Sequence, residues 1–327
     1  RPMSAADRGP WRPTAPLANL RRRAEVMAVI RRFFAEREVL EVETPLLSHG
    51  TVTDLHLHTL RTEIDAPAGG PATLWLQTSP EFAMKRLLAA GSGPIFQLCK
   101  AFRDGEAGRR HNPEFTMLEW YRPGWDHHLL MDEVDALLAA VLGAAPAERL
   151  AYGELLARVA GVDAHRDDAA TLRRRALELG LADVPGLAGR EGWLSLVMTH
   201  VVEPTLGRGR PTFVLDYPAD QAALARVRPG DPPVAERFEV YLEGLELANG
   251  YHELVDPAEQ RRRFASDLAA RRAAGLPEVP VDERLLAALE HGLPAAAGIA
   301  LGVDRLVMVA LGATSIDEVI PFPHRIA

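Results

Sequence analysis

The segment Glu246-Leu247-Ala248-Asn249-Gly250-Tyr251-His252-Glu253 places two glutamates seven residues apart around an Asn-Gly pair. Asn-Gly favours a turn. A turn would bring both carboxylates to one site, where they could hold Mg²⁺ against phosphates; an ordinary strand and turn with exposed acids is the alternative. A second group lies upstream. Phe102-Arg103-Asp104 leads into a polar run, Gly105 to Asn112, with Glu106, Arg109 and Arg110, and then into Pro113-Glu114-Phe115-Thr116-Met117-Leu118-Glu119-Trp120-Tyr121. Alternation puts Met117, Glu119 and Tyr121 on one strand face. An inward glutamate requires a cationic partner or a metal, and an arginine-dense loop suits a polyphosphate; a solvated hairpin with surface charges is the alternative. In a third group, Gly298 to Leu306, small residues at alternate positions let a flat ligand lie against backbone. Arg305 follows at a helix start, within reach of a phosphate.

Periodicity outlines the elements that must position these groups. Val26, Val29, Ile30, Phe33 and Phe34 recur at helical spacing and predict an amphipathic helix from Leu20 to about Glu38. Leu40, Val42 and Thr44 alternate with Glu41 and Glu43 as a strand that Pro45 ends or bends. A strand at Leu74–Gln77 precedes Ser79-Pro80-Glu81, which supplies an N-cap, a proline at the first helical position and an acid in the first turn. Residues 95–103 and 115–121 pair as a hairpin with a long polar tip. Residues 132–142 and 304–311 are expected as helices, and residues 237–247 as one long strand. Residues 1–18, with four prolines, read as a loose arm, and residues 144–210 as a helical insert in a catalytic domain spanning 19–327. The expected class is α+β, an antiparallel sheet flanked by helices.

The 327 residues are 47% hydrophobic and 25% charged, enough to bury a substantial core without staples. The single cysteine, Cys99, excludes an intrachain disulfide and a multi-thiolate zinc site. A formal net charge of −8 argues against a protein devoted to gripping nucleic acid. With neither a long apolar run nor a secretory signal, the expected compartment is the cytoplasm.

Together the second and third groups, with Glu246–Glu253, resemble motifs 2 and 3 of the class II aminoacyl-tRNA synthetase core. The helix and strand from Leu20 to Ser48 resemble motif 1. His111-Asn112-Pro113-Glu114-Phe115-Thr116 and Glu246–Glu253 are of the lysyl-tRNA synthetase type. Only about 20 residues precede motif 1, where a lysyl-tRNA synthetase carries an anticodon-binding barrel, so no such domain is expected. This core-only form resembles the family of elongation factor P–(R)-β-lysine ligases, paralogues of lysyl-tRNA synthetase. Thr78-Ser79-Pro80-Glu81, Phe96-Gln97-Leu98-Cys99 and Ala235-Glu236-Arg237-Phe238-Glu239-Val240-Tyr241 are similar to that family as well.

The resemblance implies ATP and Mg²⁺ as cofactors, (R)-β-lysine as substrate, elongation factor P as acceptor, a homodimer formed through motif 1, no membrane, and tRNA disfavoured. It implies Arg103 and Arg305 as catalytic residues. Arg103, Asp104, Gly105, Glu106, Asn112, Phe115, Glu246, Leu247, Gly302 and Arg305 would bind ATP, and Ser79, Glu81, Tyr121, Asn249, Glu253 and Ala300 the amino acid. Glu246 and Glu253 would serve Mg²⁺ or the substrate amine. Two departures stand out. Gly105 occupies the position of a synthetase glutamate, so Glu106 or backbone would take its adenine contact. Ala300 replaces a common glycine, and its methyl would disfavour α-lysine relative to β-lysine. A truncated synthetase acting on tRNA and an inactive regulatory paralogue are the alternatives. Among the remaining charged residues, His56 and His58 are expected on one strand face without a third ligand, His127-His128 as solvated after a turn, and Arg173–Arg175 and Arg261–Arg263 as solvated helix faces.

Overall fold

The computed structural model describes residues 9, 11–66, 70–184, 187 and 189–327. In chain order the elements are α1 (Leu17–Ala35), β1 (Leu40–Glu41), β2 (Leu47–Ser48), β3 (Arg61–Ala66), β4 (Gly70–Leu76), α2 (Glu81–Ala89), β5 (Ile95–Phe102), β6 (Glu114–Pro123) and α3 (His127–Leu142). Then come β7 (Glu148–Ala151), α4 (Tyr152–Ala160), α5 (Ala169–Glu178), α6 (Gly189–Val197), β8 (Thr212–Pro218), β9 (Val227–Arg228), β10 (Val234–Leu242) and β11 (Leu245–His252). The chain closes with α7 (Pro257–Ala273), α8 (Glu283–Gly292), β12 (Ala296–Gly302) and α9 (Val303–Leu311).

Nine strands form one sheet in the order β1-β5-β6-β12-β11-β10-β8-β7, with β9 on β10; β2, β4 and β3 form a small second sheet. The large sheet is antiparallel except at its edges, where β1 pairs β5 and β7 pairs β8 in parallel. This is the expected α+β arrangement. Period-2 alternation divides its side chains. Leu118, Trp120, Phe238, Val240, Ile299 and Leu301 face a helical layer that includes Ile30 and Phe34 of α1, Leu137 of α3 and Leu306 of α9. The opposite face is flanked at one end by Tyr121, Ile95 and Ala296 packed with Met84 of α2 and Leu286 of α8. At the other end Val214, Tyr217 and Tyr241 pack with Leu156 of α4 and Trp193 of α6. The middle of that face is left for a ligand.

Two bulges interrupt the alternation and matter for the site. Opposite β10, Val240 pairs Ala248 and Tyr241 pairs Glu246, so Leu247 is the extra residue. The inserted residue flips the parity of what precedes it, and Glu246 joins Asn249, Tyr251 and Glu253 on the ligand face. In β8 the register shifts between Leu215 and Tyr217, where Asp216 takes φ +59°.

Several expectations are corrected. Asn249-Gly250 is not a turn; it lies inside β11, paired with β10 and β12. The turn is Glu243-Gly244, both at positive φ, between paired Leu242 and Leu245, so the single strand expected over 237–247 is a hairpin. Helix α3 starts at His127, five residues before the expected 132, because Asp126 accepts a hydrogen bond from the Leu129 amide. Residues 54–58 form no strand. The segment from 144 to 210 opens with a strand, β7, and shares its core with the sheet. Of the expected arm, residues 1–8 and 10 lie outside the described residues; the Thr14 amide donates to the Pro321 carbonyl, Ala15 is buried, and α1 begins at Leu17.

Gly207 shows how tightly the insert returns to the sheet. It has φ +68°, and a Cβ there would collide with the β10 backbone at Leu242. Gly207→Ala is therefore expected to lower unfolding free energy by about 3 kcal/mol or more, measured by urea denaturation; an unchanged midpoint would contradict this packing.

Candidate active site

The ligand face of β6, β12, β11 and β10 forms the floor of a cavity of about 820 Å³, at the upper end for small-molecule sites. Of the residues expected in the site, Ser79, Glu81, Arg103, Glu106, Asn112, Phe115, Tyr121, Glu246, Leu247, Asn249, Glu253, Ala300, Gly302 and Arg305 all border it. Asp104 and Gly105 turn the hairpin tip beside the cavity: the Asp104 amide donates to the His58 carbonyl, and Gly105 has φ +78°.

One end of the cavity is acidic. Lys85 of α2, only 2% exposed, donates to Glu81 Oε1 at 2.6 Å and stands 2.6 Å from Glu253 Oε2. Burial disfavours its charge, but the carboxylates of Glu253 and Glu81 outweigh that and hold its pKa above the usual lysine value. Glu119 is 1% exposed. Its Oε1 accepts from the Tyr121 hydroxyl at 2.7 Å, while Oε2 is buried without a hydrogen-bond partner among the described residues. Burial, then the charge of Glu81, pushes the Glu119 carboxyl up to about 8. Burial, opposed by Lys85, pushes that of Glu253 up to about 7. Fully ionised, three carboxylates against one ammonium leave two negative charges uncompensated. Gly298 makes this end possible, since a Cβ there would strike the Tyr121 ring and the Glu253 carboxylate. Periodicity marked Glu119 as inward but did not connect it to the amino acid, and Lys85 carried no sequence signal beyond its helix.

The other end is basic. Arg103 leaves the hairpin at the mouth of the tip, its guanidinium 5.2 Å from the Phe115 ring centroid and 3.8 Å from Glu106. Glu106 borders the cavity and Gly105 does not. Arg305 donates to the Glu246 carbonyl at 2.8 Å and to His111 Nε2. Burial, then the charge of Arg305, lowers the His111 pKa. Asp304 sets Arg305 in place: its Oδ2 accepts from the Thr116 amide at 2.9 Å, and its Oδ1 stands 2.6 Å from the Arg23 guanidinium of α1 as an ion pair. Gly302 is not crowded by protein; a Cβ would come no closer than 3.9 Å to its neighbours, so the open space there suits a ligand. Asn112 is largely committed within the protein. Its Nδ2 donates to the Glu114 carbonyl at 2.6 Å and its Oδ1 accepts from the His324 amide at 3.0 Å, leaving one N–H for a ligand. Leu247 packs its side chain in the helix-side core.

Glu246 and Glu253 do not form one metal site. They stand at opposite ends of β11, roughly 20 Å apart along the strand, and Glu253 is already paired with Lys85. Glu246 alone suits Mg²⁺. Burial and then the charge of Glu239 push its carboxyl up to about 7, Glu203 adds to this, and Arg305 opposes it. Such a group of oxygen donors fits a hard cation beside phosphates.

The acidic end carries a pH signature. A carboxyl with a raised pKa holds its proton in the free enzyme, and a bound dication favours the ionised form. Binding of a diamino acid should therefore release protons, and its affinity should rise between about pH 6 and pH 8 as Glu253 and Glu119 ionise. Calorimetry in buffers of different ionisation enthalpy reads the release. A Glu119→Gln variant should lose the upper part of the pH dependence; no proton release in the parent protein would contradict the assignment.

Comparison with known proteins agrees with this geometry. A family model described as "tRNA synthetases class II (D, K and N)" matches residues 11–326. The elongation factor P–(R)-β-lysine ligase of Vibrio cholerae serotype O1 is 57% identical over 316 residues, 96% of this chain and 97% of that protein. The ligases of the same name from Vibrio vulnificus and Klebsiella pneumoniae subsp. pneumoniae are each 55% identical, over 97% and 95% of this chain and 99% and 97% of theirs. Matched over nearly its whole length by that model and by these relatives, the chain belongs to the class II tRNA synthetase family.

Proposed function

We propose that this chain is an ATP-dependent ligase that activates (R)-β-lysine as an adenylate and transfers it to a lysine side chain of elongation factor P. The observation that carries this is the acidic end of the cavity: Glu81, Glu119 and Glu253 around a single Lys85, once ionised against a bound dication, supply an excess of two negative charges, the complement of a substrate with two ammonium groups. Ammonium groups taken from water need such partners. The named activity of the relatives, aligned over nearly their full length, supports the same reading.

In the first step the β-lysine carboxylate attacks the α-phosphorus of ATP, and pyrophosphate leaves. Arg103, between the acidic end and the nucleotide end, bridges the carboxylate and the α-phosphate and offsets the charge that builds in the transition state. Phe115 stacks on the adenine, Asn112 and the loop arginines hold the nucleotide, Gly302 and Arg305 line the ATP site, and Glu106 or backbone contacts the adenine edge. Ser79, Glu81, Tyr121, Asn249 and Glu253 orient the amino acid. Mg²⁺, when bound at Glu246, supplies neutralisation of the phosphate charge. In the second step a lysine ε-amine of the acceptor attacks the mixed anhydride carbonyl and AMP leaves. Most of the acceleration comes from positioning. The protein works as a homodimer through α1 and the following strand, in the cytoplasm; no helix among the described residues is long and apolar enough to cross a membrane.

Transfer of labelled β-lysine to purified elongation factor P, with none to tRNA, is the expected result; label on tRNA alone would overturn the proposal. Ala300 pairs with Glu119 and with Asn249 across the floor. Ala300→Gly should shift the preference towards α-lysine by about tenfold or more, since one methyl is worth about 1–3 kcal/mol. The measurement is the ratio of kcat/KM for the two isomers in pyrophosphate exchange.

A further inference from the structure

The sheet face opposite the cavity holds a second polar cluster. His127 opens α3 and is 2% exposed, although the sequence suggested a solvated residue. Neither of its ring nitrogens has a hydrogen-bond partner among the described residues. His252, at the end of β11, places Nδ1 2.9 Å from Glu236 Oε2 of β10, without the alignment of a hydrogen bond. One ligand atom from each of His127, Glu236 and His252 lies within 4.8 Å of the other two. Three buried ring nitrogens are thus left with lone pairs or protons unused, which is costly without a ligand.

We propose that His127, Glu236 and His252 form a binding site for a borderline divalent transition-metal ion of the Zn²⁺ class. Two imidazoles and one carboxylate are a donor set that such ions take, with a fourth position for water. The 2.9 Å gap between His252 and Glu236 needs to open only slightly for an ion bonded to both at about 2.0–2.2 Å. Burial lowers the pKa of both histidines, that of His127 to about 4 with help from His128, the direction that favours the neutral ring. Without an ion, Arg226 donates to both Glu236 oxygens, at 2.6 and 3.1 Å, and Arg228 stands 3.8 Å from Glu236 Oε1 while donating to Asp216 at 2.9 Å. Both arginine side chains are about half exposed and can turn to water when an ion takes the carboxylate. Mg²⁺ is a poor occupant, because it prefers oxygen donors. The ion would pin the start of α3 to β10 and β11, one residue before Glu253.

The test uses the whole protein, stripped with a chelator and titrated with Co²⁺ in excess Mg²⁺, which saturates carboxylate-only sites. The expected result is one Co²⁺ per chain, displaced by Zn²⁺. Proton NMR of the Co²⁺-loaded parent protein should show two exchangeable, hyperfine-shifted imidazole N–H signals. His127→Gln and His252→Gln should each weaken binding on the order of 100-fold, and His127→Gln should still form adenylate. Absence of stoichiometric binding would overturn the site, as would bound Co²⁺ without two imidazole signals or His127→Gln binding at the strength of the parent protein.

Discussion

The candidate site depends on the buried ammonium of Lys85. Without it, Glu81 and Glu253 would face each other beside Glu119 with no cation between them, and ionising all three would be costly. With it, two carboxylates share one cation at 2.6 Å each, and the remaining imbalance is directed at the cavity. Burial and the neighbouring carboxylates raise the Glu119 and Glu253 pKa values. They also make the pocket selective in principle, because only a ligand that brings positive charge relieves it.

Backbone geometry holds this charge arrangement. Lys85 and Glu81 lie one helical turn apart on α2, while Glu119 and Glu253 come from strands on either side of β12. Gly298, between them, leaves the room that Tyr121 and Glu253 occupy. The Leu247 bulge then serves the far end, turning Glu246 to the ligand face while Leu245 and Leu247 stay in the helix-side core. The link from Arg23 to Asp304 and Thr116 locks α1, β6 and α9 together, so Arg305 is positioned by all three motif regions at once.

Much of this was legible in the sequence, for physical reasons. The alternation of Met117, Glu119 and Tyr121 reports a strand with one polar face, and the hairpin from 95 to 123 follows from it. The helical spacing of Val26, Ile30, Phe33 and Phe34 reports one buried stripe. What escaped depended on long-range context. Asn249-Gly250 has the local chemistry of a turn, but pairing on both sides holds it extended, and the turn goes to Glu243-Gly244. A one-residue bulge leaves no compositional mark, so two glutamates seven apart read as one site when they are two. Lys85 reads as an ordinary helix residue because its partner Glu253 is distant in sequence. His127 reads as solvated because nothing local shows that β10 and β11 cover it.

The division of the cavity bears on how two isomers of one substrate could be told apart. α-Lysine and β-lysine carry the same groups, two ammoniums and one carboxylate, so the acidic end and Arg103 attract both. They differ in how far the inner amine stands from the carboxylate. Charge alone cannot read that difference; a rigid ruler between the two ends can. β12 is that ruler, with Gly298 beside the carboxylates, Gly302 beside the nucleotide end, and Ala300 midway on the same face. On the proposed function, a methyl at the midpoint would leave both charged ends untouched and change only which chain can span them, so preference would be set where no charge is present.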